Sequence, residues 1–203
     1  MILESRGEHL WVVGSLECRP FEVARHLEAA VVPGRRAVVC GFDSVGVHVE
    51  SLAVSKFALE AALATFSPST SKIQSSKHII PVRFDLGLDL PSICSRLGLT
   101  REEVVAAFCA AEYEVITLGF SPGFPYLAGL PEALSGLDRL PTARPRVPKG
   151  AVAITGNQAC IYPSSTAGGW NILGVTDYEL VNLETPKFAF SPGDTLRFSA
   201  ETL

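Results

Sequence analysis

Hydrophobic positions along the first 80 residues follow two periods, one typical of strands and one typical of helices. Val45, Val47 and Val49 repeat at every second position, which predicts a half-buried strand. Apolar residues between Phe21 and Ala30 recur at spacings of three and four, which predicts an amphipathic helix. The predicted elements are a strand over 9–14, a helix over 20–31, strands over 36–41 and 45–49, a helix over 51–66 and a strand over 78–84.

This β-α-β-β-α-β order is typical of a split βαβ, ferredoxin-like unit. The serine-rich segment 67–77 has little to bury and is predicted to be a loop or linker. Whether the strand over 78–84 completes this unit or begins the next stays open. We place the boundary near residue 80, so that the predicted domains are 1–80 and 81–203.

The second domain has short strands separated by turn signals. Two short helices are expected within 88–111, the first ended by Gly98 and the second begun by a capping box of Thr100 and Glu103. Strands are then expected over 114–120, 151–155, 159–163, 170–175, 178–183 and 195–199. Many short strands joined by loops indicate a barrel or a sandwich.

Between Gly119 and Gly174 the chain holds about half of its glycines and prolines. Glycine permits backbone angles that other residues avoid, and proline fixes one angle and removes a donor. We therefore expect loops of fixed shape between short strands, which is where binding sites are commonly built.

Composition excludes several classes of protein. The chain has 203 residues, 47% hydrophobic and 19% charged, which is typical of a packed globular protein. Its net charge of −4 argues against general nucleic-acid binding. It has no apolar run of about 20 residues, and its N-terminus does not resemble a signal peptide. We expect a cytoplasmic protein.

Cysteine and histidine positions limit the chemistry. The five cysteines are scattered without a CxxC pair, so we expect buried free thiols and neither a zinc site nor a disulfide framework. No histidine lies beyond His78, so the C-terminal half cannot contain a Ser-His-Asp or Cys-His unit of its own. The chain also lacks a Walker loop, and we predict no metal site.

Charge in the stretch between Val115 and Thr176 differs in sign from that of the whole chain. Its charged residues are Glu132 and Asp138 against Arg139, Arg144, Arg146 and Lys149. A cationic loop of this kind either binds a carboxylate or phosphate or is solvated, and both interpretations stay open. The same holds for Gly168, Gly169 and Trp170, which suit either a ligand pocket or core packing. Gln158 and Tyr162 either orient a ligand or make structural hydrogen bonds.

Three motifs carry a resemblance to a known family. GFSPGFPYLAGL, RPRVPKGAVAITGNQACIYPSSTAGGWNILGVT and the closing SPGDTLRFS resemble allophanate hydrolase subunit 1, also called KipI or the B subunit of the prokaryotic 5-oxoprolinase. The resemblance covers 81–203 well and the first domain more loosely, around FDSVGVHVE. It implies an α+β fold, with an N-terminal ferredoxin-like α/β domain followed by a cyclophilin-like β-barrel.

The resemblance also implies a function. Members usually act with a second, homologous subunit, called allophanate hydrolase subunit 2 or KipA, in ATP-dependent cleavage of 5-oxoproline to glutamate. ATP, with its Mg²⁺, would be bound by the complex and not necessarily by this chain. The alternative is a non-catalytic regulatory protein, a KipI-like inhibitor of a sensor histidine kinase.

On this basis we predict a site in the second domain. The predicted catalytic residues are Arg144, Arg146 and Gln158. The predicted substrate-binding residues are Gly119, Phe120, Pro122, Gly123, Phe124, Tyr126, Tyr162, Gly168, Gly169 and Trp170. Phe108 and Val175 stand where the family commonly has a histidine and an arginine, which removes a candidate acid/base and a candidate anion-binding group.

Overall fold

The computed structural model describes residues 1–68, 75–182, 184 and 187–201. Its contacts divide the chain into two units, Met1–Gln74 and Ser75–Leu203. Of the predicted serine-rich linker, residues 69–74 lie outside the described residues.

The first unit is a four-stranded antiparallel sheet with two helices. Its elements are β1 (Ile2–Arg6), β2 (Leu10–Gly14), α1 (Pro20–Ala29), β3 (Arg35–Cys40), β4 (Val45–Val49) and α2 (Leu52–Thr65). The strand order is β1-β2-β4-β3, so β4 lies between β2 and β3. The predicted β-α-β-β-α-β order ends with the strand over 78–84. In the structure β1 is the edge strand that pairs with β2.

Alternation along β2 and β4 places their apolar side chains on one face of this sheet. Val13, Val45 and Val47 have no exposed surface, and Leu27 of α1 packs against them. The indole of Trp11 reaches the second helix, where its Nε1 donates to Ser55 Oγ at 3.0 Å. β1 was not predicted because its sequence ILESR is polar and almost wholly exposed, without an apolar period.

The second unit contains the remaining elements. Its helices are α3 (Leu90–Leu97) and α4 (Arg101–Ala110), with short 3₁₀ turns at Phe84–Leu86 and Glu132–Leu134. Its strands are β5 (Lys77–Val82), β6 (Tyr113–Leu118), β7 (Pro125–Ala128), β8 (Arg144–Val147), β9 (Ala151–Thr155), β10 (Gln158–Ile161), β11 (Thr166–Gly168), β12 (Asn171–Val175), β13 (Val181–Asn182), β14 (Lys187–Phe188) and β15 (Thr195–Ala200).

Seven of these strands form one sheet that curves into a nearly closed barrel, in the order β12-β9-β10-β7-β6-β15-β5. The two ends of the sheet meet where Arg83 N donates to Val175 O at 2.8 Å and Val175 N donates to Arg83 O at 3.1 Å. β5 pairs in parallel with β15 along its whole length. The sequence did not decide to which domain the strand over 78–84 belongs, and the structure places it, as β5, in the barrel sheet. The boundary predicted near residue 80 therefore falls within β5.

Helix α4 and all seven barrel strands contribute to one apolar cluster. Among the strand residues of this cluster, Val115, Leu127 and Ile154 have no exposed surface. Phe108 of α4 stacks on Phe198 of β15 with ring centroids 4.6 Å apart. The predicted capping box is confirmed, since Glu103 N donates to the hydroxyl of Thr100 at 3.2 Å.

The glycine- and proline-rich stretch contains three short strands that the sequence did not predict, β7, β8 and β11. β8 and β11 pair with each other in a separate two-stranded sheet. The strand predicted over 178–183 is only β13 in the structure, and residue 183 lies outside the described residues. In the described ranges, no helix has the length and apolar character needed to cross a membrane. The ferredoxin-like and cyclophilin-like assignments stay predictions.

Candidate functional site

The hairpin between β6 and β7 carries the GFSPGF part of the first motif as a loop of fixed shape. Ser121 N donates to Gly119 O at 2.7 Å, Phe124 N to Ser121 O at 3.0 Å, and Gly119 N to Phe124 O at 3.1 Å. Within this loop Phe120 has a φ of +66° and its side chain is 64% exposed. A bulky residue with positive φ is uncommon and is held there by its surroundings, which makes the loop a candidate for function.

Gly123 fixes the loop against the β13–β14 hairpin. Its φ is +76°, and a Cβ built on it would clash with the side chain of Val181 and lie 3.3 Å from Phe188 Cδ1. Only glycine combines this backbone angle with so close an approach. The β13–β14 hairpin therefore packs directly against the loop at Gly123.

A cavity of about 360 Å³ lies at this place. It is lined by Leu118, Gly119, Phe120, Ser121, Pro122, Gly123 and Phe188. Four of the predicted substrate-binding residues are among them. The other three are Ser121, which lies within the predicted GFSPGF motif, and Leu118 and Phe188, which were not predicted. Phe188 reaches the cavity only through the fold.

Behind the loop, four predicted residues form an aromatic cluster on the face of β7 and β10 opposite the main core. The ring of Phe124 lies at its centre, 5.0 Å from Tyr126, 5.1 Å from Tyr162 and 6.2 Å from Trp170. Phe120 joins the cluster from the loop at 5.3 Å from Phe124. Edge-on contacts of this kind rigidify the base on which the loop stands.

Gly168 and Gly169 have different surroundings. A Cβ at Gly168 would clash with the phenol of Tyr162, so the ring packs directly on the backbone there. At Gly169 the nearest atom to such a Cβ is Ala143 Cα at 3.7 Å, an ordinary contact, and Gly169 O accepts from Leu140 N at 2.7 Å. Gly168 thus positions Tyr162, whereas Gly169 positions the preceding loop.

The groups in this cluster are held in their neutral forms. Burial raises the pKa of Tyr126 and Tyr162 and raises that of the wholly buried Cys160 well above its ordinary value. The guanidinium of Arg139 lies 5.8 Å from the ring centroid of Trp170 and opposes the rise for all three groups. Cys160 is accordingly a protonated, packed thiol and not a nucleophile.

Arg144 lies at a different place and is already engaged. Its Nη2 donates to Oδ1 of the buried Asp89, and its Nη1 donates to Trp170 O at 3.5 Å. Asp89 Oδ2 also accepts from Ile172 N at 2.7 Å. The charge of Arg144 is therefore neutralised within the fold, and the predicted catalytic role of this residue stays a prediction.

The other two predicted catalytic residues lie on β8 and β10, which belong to different sheets. Arg146 is exposed, and its Nε donates to Ser165 Oγ at 3.0 Å. Gln158 is half-buried at the start of β10, two positions before Cys160 and so on the same face of the strand. Their roles also stay predictions.

The two departures from the family pattern have structural explanations. Phe108 has no exposed surface and packs in the main core between Phe84 and Phe198, so this position contributes to packing. Val175 is half-buried and forms the bridge that closes the barrel with Arg83. Neither position lines the cavity.

Metal ligands do not converge in the described part of the chain, where no group of three or more His, Cys, Asp and Glu residues could hold an ion. All five cysteines are free, as predicted. Only Cys160 is fully buried, however, and the other four are half-buried.

Comparisons with known proteins give consistent results. A family model described as carboxyltransferase domain, subdomain C and D, matches residues 15–190. A relative from Escherichia coli O157:H7, named as the B subunit of 5-oxoprolinase, is 39% identical over 176 residues, covering 82% of this chain and 78% of the relative. A protein of the same name from Bacillus subtilis strain 168 is 38% identical over 122 residues, covering 59% of this chain and 50% of the relative.

Solved structures with the same fold include longer chains. The crystal structure of TTHA0988 matches with a TM-score of 0.84 and 35% identity, covering 97% of this chain but only 40% of that chain. The urea amidolyase of K. lactis matches with a TM-score of 0.76 and 17% identity, covering 98% of this chain and 15% of that chain, which bears on the fold alone.

Proposed function

The chain belongs to the family of the carboxyltransferase domain, subdomain C and D, and we propose that it is the B subunit of a 5-oxoprolinase. The resemblance drawn from its motifs to the family of allophanate hydrolase subunit 1 and the 5-oxoprolinase B subunit is confirmed by these matches. A cytoplasmic location, expected from the sequence, is part of the same proposal.

The observation that carries the proposal is the cavity at the β6–β7 loop. It lies on the GFSPGF motif, and the lining residues have no charged side chain. An uncharged pocket with aromatic walls and backbone amides suits a small cyclic amide. The rigid aromatic cluster behind the loop holds this pocket in shape, and we propose that this chain binds and orients the substrate ring.

Proton transfer is not the task of this chain in the proposal. The cluster contains no histidine or carboxylate, and burial raises the pKa of Tyr126 and Tyr162, so that both phenols stay protonated at neutral pH and can hydrogen-bond a ligand but do not act as general bases. The residues that move protons during ring opening are therefore assigned to the other subunits.

The residues of the proposed pocket do not suit a nucleoside triphosphate. Phosphate groups are bound by converging cations and backbone N–H groups. The residues that line the cavity include no lysine or arginine. Arg144 is paired with Asp89, and Arg146 donates to Ser165. ATP, when bound, supplies the phosphoryl group that activates the amide oxygen, and we propose that ATP and Mg²⁺ are held by the partner subunit.

The partner in this proposal is a second, homologous subunit of the allophanate hydrolase subunit 2 or KipA type. The relatives are named as one lettered subunit of an enzyme, which supports the existence of further subunits. The exposed Phe120, beside Phe188 at the cavity, offers an apolar surface that a partner would cover. The same surface is the observation that favours the second candidate function, a KipI-like inhibitor that binds a sensor histidine kinase without catalysis.

One experiment separates the two functions. The chain is purified together with its subunit 2 counterpart and with the A subunit of the enzyme, and release of ADP is measured with and without 5-oxoproline. We expect ADP release that requires both the substrate and this chain. A well-folded complex that shows no substrate-dependent ADP release, together with inhibition of a kinase by this chain alone, would support the inhibitor instead.

A further inference from the structure

One of the residues that line the cavity at the β6–β7 loop, Ser121, has a buried hydroxyl group without a partner among the described residues. The Oγ atom of Ser121 is buried and has no hydrogen-bond partner among the described residues. Buried hydroxyls in native proteins nearly always have one, because leaving them unpaired costs free energy. Because Ser121 lines the cavity, a ligand bound there can supply the partner that the described residues do not.

Two backbone N–H groups of the same loop also have no acceptor among the described residues. The hydrogen bonds within the loop use the N–H groups of Gly119, Ser121 and Phe124. In the part of the chain that the structure describes, the N–H groups of Phe120 and Gly123 donate to no protein acceptor. The loop therefore has a surplus of donors, and backbone N–H groups in turns with alternating signs of φ form concave sites for anions.

The remaining walls of the cavity are apolar. Phe120 and Phe188 contribute aromatic side chains that are 64% and 48% exposed, and Pro122 adds an aliphatic ring. Such walls suit the apolar face of a small ring. The ligand that matches both features has a small ring with an apolar face and a separate group that accepts hydrogen bonds.

We propose that Ser121 Oγ donates a hydrogen bond to the carboxylate of a small cyclic amide acid, whose ring lies between Phe120 and Phe188. The inference rests on the proposed function, for which 5-oxoproline is the substrate. Since Oγ is shielded from the cavity in the structure, the proposed hydrogen bond requires the serine side chain to rotate about its Cα–Cβ bond to another staggered position when the ligand binds. This arrangement leaves the amide oxygen of the ligand free to face a nucleotide on the partner subunit.

The test compares binding of two compounds to the full chain, first on its own and then mixed with its partner subunit. The first compound is 5-oxoproline, and the second is 2-pyrrolidinone, which has the same ring without the carboxylate. Ser121→Ala should weaken binding of 5-oxoproline about 10- to 100-fold, the usual value for a hydrogen bond to a charged group. Binding of 2-pyrrolidinone should not change.

A matched control is Ser135→Ala. The hydroxyl of Ser135 already donates to Pro131 O at 3.0 Å, and Ser135 does not line the cavity, so affinity for both compounds should stay as in the wild type. A second variant, Phe188→Ala, removes an exposed wall without disturbing the core. It should weaken both compounds to a similar degree, because both carry the ring.

Two results would overturn the inference. One is equal affinity of the wild type and Ser121→Ala for 5-oxoproline, and the other is failure of the wild type to bind 5-oxoproline in either state. If the complex nevertheless releases ADP in response to 5-oxoproline, the proposed function stands and only the binding site is wrong. If binding depends on Ser121 but no ADP is released by the complex, the site stands and the proposed function is wrong.

Discussion

Asp89, the residue before helix α3, accepts a hydrogen bond from the guanidinium of Arg144 on β8. The same carboxylate accepts from the backbone of Ile172 on β12, so that three elements of the barrel unit meet at one buried charge. The local positive charge that the sequence shows around Arg144 is thus used inside the fold. This changes what the replacement of Arg144 is expected to do.

Arg144→Ala should destabilise the second unit, because it leaves the Asp89 carboxylate buried without its cationic partner. We expect a loss of about 3 kcal/mol in the free energy of unfolding, measured by urea denaturation. Arg146→Ala is the control, since Arg146 is exposed and bonded to one serine, and it should change stability by less than about 0.5 kcal/mol. Unchanged stability of Arg144→Ala with reduced turnover would instead restore Arg144 as a catalytic residue.

Gly168→Ala should displace the phenol of Tyr162, because the added methyl group would occupy the space of that ring. We expect a loss of roughly 1 to 3 kcal/mol in the free energy of unfolding and a weaker affinity for the substrate. Gly169→Ala is the neighbouring control, since its nearest contact at 3.7 Å is ordinary. The contacts at Gly168 would be wrongly described if the two variants unfolded at the same urea concentration.

Phe108→His introduces the family's common residue at a position that is buried here. The imidazole would lack the apolar contacts with Phe198, and we expect a loss of about 3 kcal/mol in the free energy of unfolding at neutral pH. Burial lowers the pKa of a histidine, so protonation favours the unfolded chain. Stability of this variant should therefore fall further as the pH drops through about 6.5.

Phe108→Leu keeps the position apolar and should cost less than about 1.5 kcal/mol. If Phe108→His were as stable as the wild type and increased the rate of turnover, position 108 would be part of a site and not of the core.

Alkaline pH should destabilise the first unit through Cys40. Burial, followed by the nearby Glu28, raises the pKa of this thiol from 9.0 to about 11. Between these two values the folded chain retains a proton that the unfolded chain releases, so stability falls as the pH rises from about 9 to about 11. Cys40→Ala should remove this part of the pH dependence.

The measurement is the urea midpoint of the wild type and of Cys40→Ala at about pH 8 and about pH 10.5, which lie on either side of the ordinary thiol pKa. The difference between the two proteins should change between these pH values, because other groups titrate equally in both. A constant difference would show that Cys40 ionises as freely in the folded chain as in the unfolded one.

The sequence correctly predicted those features that depend only on residues close together in the chain. The capping box of Thr100 and Glu103 is a pattern over four residues, and both of its hydrogen bonds form, at 3.2 and 2.8 Å. Alternation along Val45, Val47 and Val49 likewise predicted a strand, because burial of every second side chain follows from strand geometry alone.

The short strands β7, β8 and β11 could not be predicted in this way. Each has three or four residues, too few to show a period, and Pro125 and Pro145 argued against strands. These segments are extended because neighbouring strands supply their hydrogen bonds, which is a property of the whole fold.

The candidate site was predictable only in part for the same reason. Its loop and aromatic residues belong to recognisable motifs, and the fold brings Phe124 and Trp170 into contact. By contrast, Phe188 meets the loop only because Gly123 allows the β13–β14 hairpin to approach. The pairing of Arg144 with Asp89 joins residues that are 55 positions apart, and no local pattern reveals it.

The most direct test of the proposed function is a titration of this chain into a fixed amount of its partner subunits, with ADP release measured at saturating 5-oxoproline. We predict that the rate rises with added chain and reaches a plateau at a fixed ratio of subunits. A rate that is the same with and without this chain would contradict the proposal that it is the B subunit of a 5-oxoprolinase.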